Sequence, residues 1–478
     1  MSDGGKDIPG NRRGGDMKIK SIPSKWLEKN GRRLDCGPYM SGAVEARMLI
    51  EKGKYQPLKS LTGGYSNGIF KAPRLSPVYV EDPLSGHPYL SSTDIQCNDL
   101  SRVPLISKRQ ASGLANYYVK RGMTLVTSSG ETGRPVFTRQ DMDGMMGSPH
   151  FMRINPDGTK IDPGYLYAFL SCEYGNNLIT AGTYGSIIVA IEPEHIEDIP
   201  IPRLSNELET NVSSLIYAAE KLRVEANTAI LQARQEFDKL GADIMNTEGL
   251  LKTPKVNAVS SNSILSRFDA GFHDPIAEKI ANKIKLSNHC TISEFCSELS
   301  LPGIFKRIYS EDETIGAPYI LGSAVYWIEP KAKGILSPKT SLYDQLIIKK
   351  GTILVQAFGQ KGGLIGRPTW VGEALDGCAT THMLVRAVAK DAKLSGYLFA
   401  FLDSDVGYAQ TIRLPFGGSI PHFTESNLGT VLMPLMAESE MLAISHRVLE
   451  AFSKRDEAFR LEKQARSMIE EAIKEREH

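Results

Sequence analysis

The sequence predicts an α+β protein: two similar mixed α/β domains in tandem repeat, each followed by a long helix, the two helices pairing as an antiparallel coiled coil. Three observations predict it. The chain repeats itself in order, short β-rich runs punctuated by Gly and Pro fill the first part of each repeat, and each repeat closes on a long polar segment with a narrow apolar stripe.

The repeat is read from eight landmarks. Arg33-Leu34-Asp35-Cys36 reappears as Arg267-Phe268-Asp269-Ala270, and Gly68-Ile69-Phe70-Lys71 as Gly303-Ile304-Phe305-Lys306. Pro88-Tyr89 matches Pro318-Tyr319, Lys120-Arg121-Gly122 matches Lys349-Lys350-Gly351, and Gly133-Arg134-Pro135 matches Gly366-Arg367-Pro368. Gly164-Tyr165-Leu166-Tyr167 returns as Gly396-Tyr397-Leu398-Phe399, Gly185-Ser186-Ile187 as Gly418-Ser419-Ile420, and Ile201-Pro202 as Met433-Pro434. Every pair is displaced by 229 to 235 residues. The copies differ most between these landmarks.

Within each copy, Met123–Thr127 and Thr352–Gln356 read as strands, and Gly164–Leu170 and Gly396–Leu402 as short helices. The long helices are expected from about Ser205 and Glu438. In the first, Leu208, Val212, Leu215, Ala219, Leu222, Ala226, Ala229 and Ala233 alternate in steps of four and three, a coiled-coil seam that Leu240 extends. The second carries Met441, Ile444, Val448, Ala451, Ala458, Ala465, Ile469 and Ala472, with Arg455 and Glu462 weakening the stripe. The implied boundaries are a flexible leader over 1–25, a first domain over 26–204, a helix over 205–245, a second domain over 246–436 and a second helix over 437–478. A homodimeric coiled coil is the competing arrangement.

The 478 residues suffice for two or three domains, and the hydrophobic share of 41% and charged share of 23% are ordinary for a globular chain. No apolar run approaches bilayer-spanning length, and the N-terminus lacks the apolar core of a secretory signal. Six cysteines form no CxxC pair, which fits a reducing, cytoplasmic setting without disulfides.

The net charge of +1 conceals a segregated distribution. Residues 101–140 hold seven basic side chains against Glu131 alone, and residues 331–370 hold seven against Asp344 alone. Two equal excesses at the same place in two diverged copies suit phosphate neutralisation. Glycine-flanked loops in these windows, 128–134 and 356–363, could present Ser, Thr, Gln and Arg to base edges. The expected DNA contacts are Lys108, Arg109, Lys120, Arg121, Ser128, Ser129, Thr132, Arg134 and Arg139 in the first copy, and Lys339, Gln356, Gln360, Lys361 and Arg367 in the second.

This pattern resembles the specificity subunit of type I restriction–modification systems, over nearly the whole chain from about residue 30. The openings Arg33-Leu34-Asp35…Tyr39 and Arg267 to Pro275, the Gly164 segment, the Gly-Ser step at Gly185 and the Ile199-Pro200-Ile201-Pro202 exit carry the likeness, together with the ordered duplication. Gly185-Ser186-Ile187 departs from its counterpart in lacking the following Pro421-His422. The resemblance implies two target-recognition domains reading a split double-stranded DNA target, with the helices as spacer. A helix of about 35 residues would span roughly 50 Å, on the order of one and a half turns of B-DNA. It also implies partners: two methyltransferase subunits docked on the spacer, for which Glu220, Lys221, Arg223 and Glu225 are candidate contacts, and motor/nuclease subunits. S-adenosylmethionine, ATP and Mg would then belong to those partners, with no cofactor in this chain.

No catalytic or metal residue is assigned. The chain has no (N/D/S)PP(Y/F) segment, no GxxxxGK(S/T) loop and no HExxH pattern. His289-Cys290 with Cys296 is too sparse for a zinc site, and His422, without a nucleophile beside it, is expected to be structural. Two alternatives stay open: a recognition subunit of another methylation-linked phage defence system, and a coiled-coil scaffold that does not touch DNA.

Overall fold

In each half, the expected strand forms the inner part of a four-stranded antiparallel sheet, and the two sheets have the same order. The first runs Ile69–Lys71, Phe151–Ile154, Thr124–Thr127, Pro135–Phe137, and the second Cys296–Ser300, Leu384–Ala389, Ile353–Gln356, Pro368–Trp370. All four residues of Thr124–Thr127 and of Ile353–Gln356 are buried, as a sheet covered on both faces requires. Proline opens the outermost strand in both, where a missing N–H costs no ladder bond. These observations come from a computed structural model that describes residues 19–29, 34–63, 68–183, 190–248, 258–265 and 267–477. Residues 1–18 of the expected leader, Arg33 of the first landmark, and Gly185-Ser186-Ile187 lie outside the described residues.

A second sheet repeats as faithfully. Tyr79–Val80, Leu105–Ser107, Gly86–Leu90 and Met146–Gly147 correspond to Tyr309–Ser310, Ala332–Leu336, Ala317–Ile320 and Ala379–Thr380, and in both sheets only the last pairing is parallel. Each half is also closed by a two-stranded ladder, Tyr55–Pro57 with Pro200–Pro202 and His289–Thr291 with Leu432–Pro434. The short helices appear as Pro163–Ser171 and Ser395–Asp403. Both press a glycine onto a long helix. A Cβ at Gly164 would come 3.1 Å from Ser213 Cα, and one at Gly396 would come 2.3 Å from the Ser445 carbonyl oxygen. Beside each glycine a tyrosine hydroxyl donates to the exit proline, Tyr165 to Pro202 O and Tyr397 to Pro434 O, both at 2.7 Å.

The long helices run Asn206–Glu248 and Glu438–Lys474, 43 and 37 residues, or about 65 and 55 Å. They pair antiparallel within one chain. Arg223 meets Glu462, Glu225 meets Lys454, Asn227 meets Arg455, and Arg476 returns to the Arg203 carbonyl. Val212, Ala219, Ala226 and Ala233 are buried as the heptad stripe requires, but Ile216, Ile230 and Phe237 are buried too. That second stripe packs on the domains. Ala465, Ile469 and Ile473 of the second helix join the first half's core, and Ala226, Ile230 and Phe237 of the first helix join the second half's core. Each domain therefore grips both helices, towards opposite ends of the pair. Arg455 and Glu462, which interrupt the apolar stripe, each find a polar partner on the other helix.

All six cysteines are free thiols. No helix among the described residues is long and apolar enough to cross a membrane.

Candidate nucleic-acid interface

The loop that leaves each inner strand is built the same way. Gly122 and Gly351, at φ 85° and 94°, turn the chain into the strand, a conformation open to glycine at little cost. At the far end, Ser129 pairs antiparallel with Ala190, and Phe358 with His422, so the strand-end loop lies against the loop that precedes the domain exit. In the second half this makes a compact head. Phe416 and His422 exchange backbone hydrogen bonds of 2.8 and 2.9 Å, Gly359 N–H donates to Pro421 O at 3.0 Å, and Gln360 Nε2 donates to Ser419 O at 3.2 Å. The His422 ring stacks on Phe358 at 4.9 Å and lies 4.6 Å from Phe416.

The structure divides the expected DNA contacts. Lys108, Arg109, Lys120, Lys339, Gln360 and Lys361 are exposed, and Ser129 and Thr132 half-buried. Lys108 donates to Leu84 O at 2.8 Å, and Ser129 lies 3.2 Å from His150 Nδ1. Three expected contacts are corrected by burial: Ser128, Arg139 and Gln356 are 1%, 2% and 8% exposed. Arg139 is held by Asp141 at 2.9 Å, and Gln356 Nε2 donates to Phe358 O at 2.8 Å. Arg139 and Gln356 thus brace the loops from inside.

Three further expected contacts, the half-exposed Arg121 and the less exposed Arg134 and Arg367, are engaged by other protein groups. Arg121 forms a bidentate pair with Glu220 of the first helix, both bonds 2.7 Å, and the same carboxylate accepts from Gln140 N–H at 2.9 Å. Donating to the Glu220 carboxylate raises Arg121 above its ordinary value. The equivalent Lys350 binds Asp456 of the second helix at 2.6 Å, and Asp456 accepts from Glu373 N–H at 2.8 Å. One carboxylate per half thus clasps the domain to its own helix. Arg134 crosses to the other half, lying 4.7 Å over the Trp327 ring and donating to Glu329 O at 2.6 Å. Arg367 lies 3.4 Å over Tyr408 within its own half. Burial lowers both guanidiniums, Arg367 to about 10.

The expected excess is therefore smaller at the surface. Arg102 of the first window binds Asp403 at 2.7 Å, and Lys331 of the second lies 3.8 Å from Glu131. Lys108, Arg109 and Lys120, and Lys333, Lys339, Lys349 and Lys361, remain exposed with no ion pair among the described residues. Of the helix-face candidates, Glu220 and Arg223 are buried and engaged, which removes them as docking contacts, whereas Lys221 and Glu225 stay accessible.

Sequence reasoning missed that the halves touch. Cys97 pairs antiparallel with Trp327, Asn98 N–H donates to Tyr326 O at 3.3 Å, and Ile328 N–H donates to Gln96 O at 2.7 Å. These residues are equivalent in the two copies, so each half offers the other the same edge. No His/Cys/Asp/Glu group suited to a metal occurs among the described residues.

Among solved structures, the chain is similar to a type I restriction–modification S subunit from M. genitalium, at 13% identity over 88% of this chain and 95% of that one, with a TM-score of 0.34. It is similar to the HsdS subunit from Thermoanaerobacter tengcongensis, at 13% identity, 88% and 96% coverage and a TM-score of 0.27. A third similar structure, from work on complex assembly and conformational transition of the type I R-M system, shares 14% identity over 88% and 97%, with a TM-score of 0.26. No family model matches the chain, and no curated protein matches it.

Proposed function

We propose that this chain is the DNA-reading specificity subunit of a type I restriction–modification enzyme, reading a bipartite target and carrying no reaction of its own. One observation carries the reading: two copies of one α/β unit grip an antiparallel helix pair towards opposite ends, each extending a differently composed strand-end loop beside exposed cations. Equivalent scaffolds with unlike loops suit two readers of two unlike sequences. Lys108, Arg109 and Lys120 in one half, and Lys339, Lys349 and Lys361 in the other, would supply the phosphate contacts. Two methyltransferase subunits and motor/nuclease subunits would bring S-adenosylmethionine, ATP and Mg.

The test is single-molecule sequencing for methylated bases in cells expressing the chain with its neighbouring methyltransferase. Two short specified blocks around an unspecified gap are expected. Association without methylation would favour another defence role, and no association would favour a scaffold.

A further inference from the structure

The duplication places two equivalent niches where the halves meet both long helices. Each is walled by the arginine that precedes the outermost strand, Arg134 or Arg367, and by the aromatic residue that ends that strand, Phe137 or Trp370. Yet the niche at Arg134 encloses about 40 Å³ and the one at Arg367 about 390 Å³. The first has room for a water or so; the second is in the size range of small-molecule sites.

The side chains show why they differ. Ser213 and Ser445 take the same place against Gly164 and Gly396, which sets the correspondence along the helices. On that count Arg223 corresponds to Arg455, and Glu462 to Ile230. In the small niche Arg223 is held by both oxygens of Glu462, at 3.1 and 2.8 Å. In the large one the carboxylate is replaced by isoleucine. Arg455 keeps one acceptor, Asn227 Oδ1 at 2.7 Å, and its buried Nε has none. Arg367 likewise has a buried Nη1 without an acceptor; Arg134 does too, although its Nη2 reaches Glu329 O. Burial pushes both Arg367 and Arg455 down to about 10.

The carboxylates lining the large niche are already committed. Asp99 and Asp403 face Arg102 and Arg234, Asp456 holds Lys350, and Asp94 accepts from Ser91 N–H at 2.8 Å. What remains is two guanidiniums with unused donors beside a wall that includes Trp327, Trp370, Phe452 and Phe459. The Trp327 indole N–H is also buried without an acceptor.

We propose that the larger niche binds a small organic anion, its flat aromatic body on the aromatic wall and its carboxylate or phosphate oxygens received by Arg455 and Arg367. Guanidinium suits such groups, and buried donors left open strengthen the preference for an acceptor. Because residues of both halves line the niche, an occupant would also fix them relative to one another. This site stands independently of DNA reading.

The test is fluorescence titration of the full purified chain with anilinonaphthalene sulfonate, a flat aromatic anion whose sulfonate stands in for carboxylate or phosphate. Saturable binding of one molecule per chain is expected. Ile230→Glu, which restores the carboxylate that Arg223 already has, should weaken it about tenfold or more by satisfying Arg455 internally. Arg367→Gln should weaken it comparably, and carries the test if Ile230→Glu does not fold. Unchanged binding in the folded variants, or no saturable binding, would overturn the proposal.

Discussion

Cys97 and Trp327 face each other in an antiparallel bridge, and they are the same position of the duplicated unit. Their neighbours reinforce the relation, since Asn98 donating to Tyr326 and Ile328 donating to Gln96 are images of one bond. A pseudo-twofold axis therefore passes between these two residues and across the antiparallel helix pair. The axis turns a tandem repeat into a closed object, in which each domain is held by its own helix, by the other helix and by the other domain.

The cross-helix pair Arg223–Glu462 sits close to that axis and is buried on both sides, at 3% and 9% side-chain exposure. Removing one partner strands the other charge in a low-dielectric seam. Glu462→Ala should cost about 3–5 kcal/mol of stability, read as a large fall in the thermal midpoint. Arg223→Leu combined with Glu462→Leu should recover most of that loss. Equal stability of the single and double variants would show that the pair is not coupled.

The clasp at Glu220 separates two adjacent basic residues that the sequence grouped together. Both are exposed, but Arg121 is bound to Glu220, while Lys120 has no ion pair among the described residues. Lys120→Ala should weaken DNA binding on both specific and random duplexes and reduce the salt slope by about one. Arg121→Ala should leave that slope unchanged and loosen the first domain on its helix. A slope change from Arg121→Ala alone would return that residue to the interface.

How much was legible depends on which physical signal wrote it. The repeat, the sheet strands and the helix pair were readable because burial on a fixed period leaves a pattern, as at Thr124–Thr127 and Val212–Ala219–Ala226. The site was read less well. Arg139 and Lys120 look alike as letters in a basic window, yet one is 2% exposed beside Asp141 and the other is in solvent. The difference lies in long-range partners, which no local window contains. The contact of Cys97 with Trp327 escaped for the same reason, since neither residue has a polar or periodic context that announces an edge. Glu220 left a weak signal: it directly follows the heptad position Ala219, and a carboxylate there asks for a cation.

The strand-end loops should be separable from their scaffold. Exchanging residues 128–133 for the loop of another reader should alter one block of the methylated motif and leave the other intact, because the flanking strands Thr124–Thr127 and Pro135–Phe137 close the loop independently of its content. Arg134 is kept in the exchange, as it contacts Trp327 and Glu329 of the other half. Methylation mapping reads the result. Change in both blocks would mean the halves do not read independently.

Thiol chemistry offers a probe of the closed state. Burial pushes Cys97, Cys172 and Cys296 up to about 12 and Cys378 to about 11, so their thiolate populations near pH 8 are very small. Cys36 is exposed. Iodoacetamide at pH 8 should therefore label Cys36 first in the native chain, the half-buried Cys97 more slowly, and the buried Cys172, Cys296 and Cys378 only as the fold opens. The same shifts carry a sign for stability. A thiol raised in the folded state keeps its proton where the unfolded chain has lost it, so stability is full below the ordinary thiol range near pH 9 and falls as pH rises towards about 12. Cys97 is the informative site, because its labelling would report separation of the two halves at the Trp327 bridge. Labelling of Cys97 as fast as Cys36 at pH 8, with the thermal midpoint intact, would show that this junction opens in the native state.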